Sequence, residues 1–548
     1  MSAVTATILI DGTEMNPAYV LTEIDVINEI NRIPYAQLVL ADGDAAQRTF
    51  PGSSSPDFVP GKEIEIKLRY EGDPESEATV FKGVVTKHSL EADQTGSILT
   101  IELKDKAVKM TGGRKCALFT DQKDDEVIQK ILQDNGLQAG SVASGTAQHP
   151  QLLQYYCTDW DFLRARADAN GWWIFVQNGE VSAANPDDID TGTAQHQFAF
   201  GLKEIYRFQV EAAIEGQPEK VESRAWDIAS LQLTSPTPAS REPAGPGDFD
   251  PAQLAQTLGT GTETLQSAVS LSSDELQAWA DGRLRQKRSA IWRGSVTIPG
   301  KAAVYPLEVM EISGLGAHFD GNILLTGVRH RVNAAGWMTD LQFGLAEKDL
   351  LAPDDAMDLP AAGLLPGIHG LQIGIVDAFE ADPEQHYRVR IRIPAFGDDA
   401  GPVWARMASP DAGNNRGFFF QPETGDEVIT GFFNGDPRQP VILGSLYSSG
   451  QAPAVEAGKI NEDNFIKGFA SREGVQIWFD DENKALQLLT SANQQITLNE
   501  TDKKVEIKDV NGNMISMTDS GITIKSAKNL VLEAAQNVEI KGQKVDVK

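Results

Sequence analysis

The chain has 548 residues, 41% of them hydrophobic, with 49 glycines, a formal net charge of −30 and two cysteines. That length exceeds a single core and implies roughly three or four domains, and two cysteines exclude a disulfide-stapled scaffold. No apolar run is long enough to cross a bilayer as a helix, and so acidic a chain lacks the basic footprint that nucleic-acid phosphates require.

The acidity reads as solubility and self-repulsion. It belongs to the earlier part of the chain, because from Ser491 onward eight Lys face eight Asp or Glu. The start, MSAVTATILIDGTEM, has no basic segment before its short apolar run. It reads as a first strand and a turn at Asp11-Gly12 rather than a signal peptide. Cys116 and Cys157 form no CxxC pair and are expected as buried free thiols in a reducing cytosol.

Up to about residue 230 most segments read as strands. EIEIKLRY (63–70) alternates apolar and polar residues, and FKGVVTKHSL (81–90) follows a charged loop. Helices interrupt this pattern. In DQKDDEVIQKILQDNGL, Val127, Ile128, Ile131 and Leu132 form one apolar stripe, and Asn135-Gly136 is a C-terminal stop. WDFLRARADANG (160–171) predicts a second helix, with strand-like WWIFV (172–176) directly after it. A third begins at SSDELQAWADGRLRQKR, where Ser272 and Glu275 have capping-box spacing and Leu276, Trp279 and Ala280 share a face.

Pro/Gly-rich stretches at 234–251, near 353–370 and at 448–459 read as exposed loops or connections and divide the chain. They separate a mixed α+β region at 1–360, a compact β domain at 366–450 and a repetitive tail at 460–548. In RVRIRIP, Val389, Ile391 and Ile393 point one way and Arg388, Arg390 and Arg392 the other. Short alternating strands with frequent turns in about 80 residues suggest a small closed barrel of the OB-fold type.

The tail repeats an apolar-x-apolar unit: Ile496/Leu498, Val505/Ile507, Ile515/Met517, Ile522/Ile524, Leu530/Leu532, Val538/Ile540 and Val545/Val547. The units start 7 to 10 residues apart, which suits one strand and one tight turn each. Two side chains per rung cannot close a core from one chain. Three copies wound about one axis would bury the doublets in a shared interior and cover the strand edges. At roughly 1.5–3 kcal/mol per fully buried aliphatic side chain, the stabilisation grows along the stack. The alternative is a self-contained meander or single-chain solenoid, against which stands the lack of any large aromatic after Phe479.

A glycosidase needs two convergent carboxylates, whereas Glu380, Asp382 and Glu384 flank Pro383 and read as a solvated hairpin loop. There is no GxSxG elbow and no phosphate-binding GxxxxGK[ST], and Gly314 and Gly316 read as a loop between strands. The histidines at 88, 149, 196, 318, 330, 369 and 386 are scattered. No His or Cys follows His386, so the tail offers no nitrogen or sulfur ligand to a tip metal. Trp172-Trp173 reads as core or subunit interface rather than a sugar platform. Arg388, Arg390 and Arg392 are expected to pair with carboxylates of a neighbouring subunit rather than with nucleic acid. No catalytic, cofactor-binding or metal-binding residue is assigned, and no enzyme activity is expected.

The stretch VWARMASPDAGNNRGFFFQPETGDEVITGFFNGDPRQPVILGSLY (403–447) resembles the barrel domain of the VgrG family, the spikes of type VI secretion and related contractile injection systems. The matching elements are Trp404-Ala405-Arg406, Gly425-Asp426-Glu427-Val428, Gly435-Asp436-Pro437 and Leu443-Gly444-Ser445. GIVDAFEADPEQHYRVRIRIP (374–394) looks like the start of the same domain. TDWDFLRARADANGWWIFV, GNILLTGVRHRV…GWMTDLQFGL and, more weakly, FKGVVT resemble the family's phage-hub-like region. His330 matches a His of the family and is expected to hydrogen-bond rather than ligate.

The resemblance implies a mainly β homotrimer: a phage-hub-like ring region (1–360), an OB-fold (366–450) and an intertwined triple-stranded β-helical needle (460–548). It implies a hub and spike that adapts to an inner tube and punctures a target envelope on sheath contraction. Its partners would be a PAAR-type tip protein, tube-initiator and baseplate proteins, and possibly effector cargo. It would assemble in the bacterial cytoplasm as part of a phage tail-like particle and leave on firing. Only a short linker follows Gly450, which leaves no room for an inserted lysozyme domain, and no fused effector is expected beyond the needle. The other reading is a phage tail spike that binds or cleaves glycans.

Overall fold

The structure, a computed structural model, describes residues 3–547 apart from 44–48, 94–95, 203–204, 228–229, 231, 241–246, 268, 346–359, 398–400 and 456–459. Parts of the three predicted connections, 241–246, 353–359 and 456–459, thus lie outside the described residues. The chain forms two compact units, Met1–Ser445 and Leu446–Lys548. It is mostly β.

In the first unit the alternating segments become strands because one face of each is apolar. Ile64, Ile66 and Leu68 of Glu63–Tyr70 are buried. They pack with Leu38, Leu40, Leu99, Ile101 and Leu103 around Phe58 and Phe81. A second core gathers Val296, Ile298, Met310, Ile312, Leu325, Leu341 and Phe343. One sheet carries both cores. Its halves join where Val20–Glu29 runs antiparallel to Gly321–Asn333, with Val26 opposite His330. Arg329 spans this seam with a two-pronged hydrogen bond to Asp25, at 2.8 and 2.5 Å. His330 lies 3.1 Å from the Thr339 hydroxyl, and burial pushes it down to about 3, so the ring is neutral. Gly314 and Gly316 sit in the loop between Val309–Ser313 and Gly321–Asn333.

The helices build a third core. Helix α1 (Asp124–Asp134) buries the stripe Val127, Ile128, Ile131 and Leu132 and ends at Asn135. Helix α2 (Asp159–Ala169) starts on Thr158, whose hydroxyl accepts the Asp161 N–H at 3.1 Å. It is followed by the strand Trp173–Gln177. Trp172 and Trp173 are buried. Helix α3 (Pro251–Thr257) is short. Helix α4 (Ser273–Ser289) carries both bonds of the capping box between Ser272 and Glu275, at 3.2 and 3.0 Å. Leu276 and Ala280 are buried, whereas Trp279 is half-buried. Gly282 lies inside α4 despite a propensity cost of about 1 kcal/mol. The end of α2 crosses α4 here, and a Cβ on Gly171 would stand 2.4 Å from the Gly282 Cα.

The OB-type pattern closes as expected. Gln372–Val376, Val389–Arg392, Val403–Met407, Pro440–Ser445 and Glu427–Phe432 form a five-stranded closed barrel in that order. Val389, Ile391 and Ile393 point into its core with Val376, Phe396, Val403, Val428 and Ile442.

The arginine strip differs from expectation. Arg388 bonds Asp382 at 2.7 Å, Arg390 bonds Glu380 at 2.5 Å, and Arg392 bonds Asp377 at 3.1 Å. The strand and the acidic loop before it are adjacent in sequence, so the partners are supplied within one barrel rather than by a neighbour. The loop is solvated, as expected, at Glu380 and Glu384, whereas the Asp382 side chain is tucked in. Asp382 accepts the backbone N–H groups of Glu384, His386 and Arg388 as well as the Arg388 guanidinium.

Two further expectations are corrected. The described part of the connection near 353–370 is not an exposed linker: Leu365 lies in the helical core and Ile368 in the barrel core. Proline and glycine punctuate it, but its apolar residues are the seam between the two. The cysteines are free but half-buried rather than buried. Burial pushes the Cys157 thiol up to about 12, so it is not a ready nucleophile.

Burial alone would raise the Asp382 carboxyl, but the Arg388 guanidinium and the backbone N–H donors outweigh it and hold it well below the usual carboxylate range. Its stabilising effect is full above about pH 4 and falls away as pH drops through the folded value. Asp382→Asn is therefore expected to destabilise the barrel by about 1–3 kcal/mol at neutral pH. In thermal melts of variant and wild type the gap should close as the solution is acidified.

Candidate functional site

The second unit holds a seven-stranded antiparallel meander: Ile466–Ala470, Gln476–Asp480, Ala485–Leu489, Gln495–Asn499, Lys504–Lys508, Met514–Thr518 and Gly521–Lys525. Each strand pairs with the next because the turns are tight. At one of them Asp509 accepts the backbone N–H groups of Asn511 and Asn513, and Gly512 takes the left-handed φ of 86° that glycine tolerates.

The register aligns the doublets into two apolar ladders. One runs Ile477, Leu488, Ile496, Ile507, Ile515, Ile524; the other Phe479, Leu486, Leu498, Val505, Met517, Ile522. Their side chains share one face of the sheet. The opposite face carries Thr497, Glu506, Ser516 and Thr523 in a row. Lys504 and Lys508 both pair with Glu506 and cover it.

The burial is the reverse of an ordinary globular sheet. Glu506 is only 5% exposed, whereas Ile496 is 40%, Leu498 44% and Ile522 68% exposed. The meander is thus not self-contained, since the single chain leaves its apolar face open. Beyond Lys525 no strand occurs among the described residues. The doublets Leu530/Leu532, Val538/Ile540 and Val545/Val547 are all exposed there, Val547 by 91%. They find no strand partner among the described residues. The apolar-x-apolar signal located this surface from Ile496 onward. It missed Ile477/Phe479 and Leu486/Leu488, because Trp478 and the Leu488-Leu489 pair blur the alternation.

A second constellation escaped the sequence entirely. Asp124, His149, Arg166 and Asp436, all buried, lie together with the half-buried Glu275 and Arg438 in the first unit. Arg166 holds Asp124 through Nε at 2.6 Å and Nη2 at 2.9 Å. His149 Nε2 lies 3.0 Å from Asp124, and its Nδ1 lies 3.4 Å from Glu275. Arg438, from the barrel, reaches Glu275 at 2.6 Å and Asp436 at 2.9 Å. The six residues come from five parts of the chain, only Asp436 and Arg438 being close in sequence, so no spacing could reveal them; Glu275 showed only as a capping residue.

The other candidate residues do not converge. His196 faces Glu308 at 2.8 Å and His318 faces Asp248 at 2.6 Å. No group of three or more His, Cys, Asp or Glu arranged to hold a metal occurs among the described residues. No helix among them is long and apolar enough to cross a membrane.

Residues 1–334 match the family described as the Alg8 N-terminal domain. Residues 372–447 match the type VI secretion system/phage-baseplate injector OB domain, and 485–548 match the phage baseplate V C-terminal trimerisation domain. The type VI secretion system spike protein VgrG1c of Pseudomonas aeruginosa is 31% identical over 486 residues, 80% of this chain and 63% of that protein. The actin cross-linking toxin VgrG1 of Vibrio cholerae is 35% identical over 95 residues, 16% of this chain and 9% of that protein. The chain therefore spans less than two thirds of the length of these curated relatives. Among solved structures, a chain of the Francisella PdpA–VgrG complex in its lidded form superposes with a TM-score of 0.57 at 10% identity, over 95% of this chain and 80% of that one. The fold is shared although the sequence has drifted. The chain belongs to the Alg8 N-terminal domain family and, through its barrel, its tail and its curated relatives, to the VgrG-type spikes of contractile injection systems.

Proposed function

We propose that the chain is the structural hub and spike of a contractile injection machine, acting as a homotrimer whose tail forms a puncturing needle. The observation that carries this reading is the open apolar face of the tail sheet, over a segment similar to a trimerisation domain. Three copies would supply the missing cover and pair the doublets beyond Lys525. At roughly 1.5–3 kcal/mol for each aliphatic side chain fully buried, such an assembly would be stiff and hard to peel apart. Mechanical load asks for that property, and no catalytic step is required.

The working division is a ring-forming hub at 1–360, an OB barrel at 366–450 and a needle at 460–548. The hub would dock an inner tube and baseplate proteins, and the needle end a PAAR-type tip protein, with effector cargo carried on the assembly. It would assemble in the bacterial cytoplasm within a phage tail-like particle and leave the cell on firing. With no His or Cys after His386, zinc at the tip would have to come with a separate tip protein.

Leu498→Asp combined with Ile507→Asp places two charges on the open face. This variant is expected to abolish self-association in sedimentation, while the barrel and hub keep their wild-type melting transition.

In producing cells, deleting 485–548 should leave no contractile particles able to kill or inject, as seen by electron microscopy and a target-cell assay. Particles that form and fire normally without that segment would overturn the spike reading. Purified protein should release no product from cell-wall glycans, and metal analysis should find no stoichiometric zinc.

A further inference from the structure

The buried ionic cluster of the first unit has an odd charge count. Asp124 on α1, Glu275 on α4 and Asp436 beside the barrel strand Pro440–Ser445 contribute three negative charges. Arg166 on α2 and Arg438 beside the same barrel strand contribute two positive ones. Asp124, His149, Arg166 and Asp436 are all buried, and the Arg438 side chain is 8% exposed. An unbalanced charge in such surroundings is costly. His149 stands between Asp124, which also accepts from Arg166 and from the Asn170 amide at 2.8 Å, and Glu275, which shares Arg438 with Asp436. Its Nε2 faces Asp124 Oδ2 at 3.0 Å and its Nδ1 faces Glu275 Oε1 at 3.4 Å. Only the protonated ring has a hydrogen on both nitrogens. Arg166 Nη2, 3.2 Å from Nε2, is a like charge facing it.

The cluster also lies at a junction. Glu275 is held from one side by His149 and from the other by Arg438 of the barrel. Arg166 donates to the Leu364 carbonyl at 3.0 Å, at the head of the segment leading into the barrel. The Ile368 N–H of that segment donates to the Gly435 carbonyl at 2.7 Å. Apolar contact, with Tyr155 edge-on to Phe396 at 5.4 Å, accompanies this seam.

We propose that His149 is a buried imidazolium that brings the cluster to neutrality, and that the cluster is a pH-released latch holding the barrel against α1, α2 and α4. Desolvation works against the charge on His149, but the hydrogen bonds to Asp124 and Glu275 outweigh it and hold the ring above its ordinary value. A raised folded value means that the latch is fully closed below about pH 6.5, the unfolded value, and weakens as pH rises through the folded value. The apolar seam does not titrate, so alkaline pH loosens the junction rather than separating it.

Amide hydrogen exchange on the full chain, corrected for the intrinsic pH dependence of exchange, tests this at the segment 364–372. Wild-type exchange there should rise about tenfold between about pH 6 and pH 9.5, while the strand Glu63–Tyr70 stays protected. His149→Gln should exchange at pH 6 as fast as wild type does at pH 9.5. His149→Gln with Glu275→Gln restores charge balance without a titrating group, and its junction should be protected at both pH values. A wild-type junction unchanged across the range, or a wild-type pH dependence surviving in either variant, overturns the proposal. If the single variant does not fold, the double variant decides on the same terms.

Discussion

The structure depends on one unmet demand: two ladders of apolar side chains run across six strands of the tail sheet and leave one face open. The sheet's polar side is the finished one, with Glu506 clasped by Lys504 and Lys508. A soluble monomer would place these faces the other way, because leaving so many Ile, Leu and Val side chains in water forfeits the main favourable term in folding. The fold of the second unit is therefore specified for company. Its edge strands, which would otherwise template aggregation, are safe only where sister strands occupy them.

The first unit meets the opposite demand, since it closes its cores within one chain. A single sheet carries two of them, joined across the Asp25–Arg329 seam, and the helices supply a third. The barrel is secured to this body by Leu153 and Tyr155, which enter its core, and by the ionic cluster around Glu275. Rigidity in such a part comes from discrete, well-packed seams rather than from size.

Much of this was legible in the sequence, and the physical reason is periodicity. The period-2 writing of RVRIRIP fixed the barrel strand and its inward face, and the stripe Val127, Ile128, Ile131, Leu132 fixed α1. The capping box at Ser272 and Glu275 placed the start of α4. Repetition of the doublets pointed to the open face before any strand could be paired. What escaped was the information that crosses elements. Arg388, Arg390 and Arg392 found their partners in the preceding acidic loop, because a hairpin brings back what composition alone would leave solvated. The segment through Leu365 and Ile368 reads as a linker by its proline and glycine, yet it is a buried strap. His149 and Glu275 are 126 positions apart in the chain, and only the tertiary fold makes them neighbours.

The mass of the native full-length protein in solution is the most direct check on the central idea that sister chains cover the ladders. Light scattering coupled to size separation should give three times the 59.4 kDa chain. A well-folded, soluble species at the mass of one chain, with the tail sheet intact, would mean that the open face needs no cover and would contradict the account.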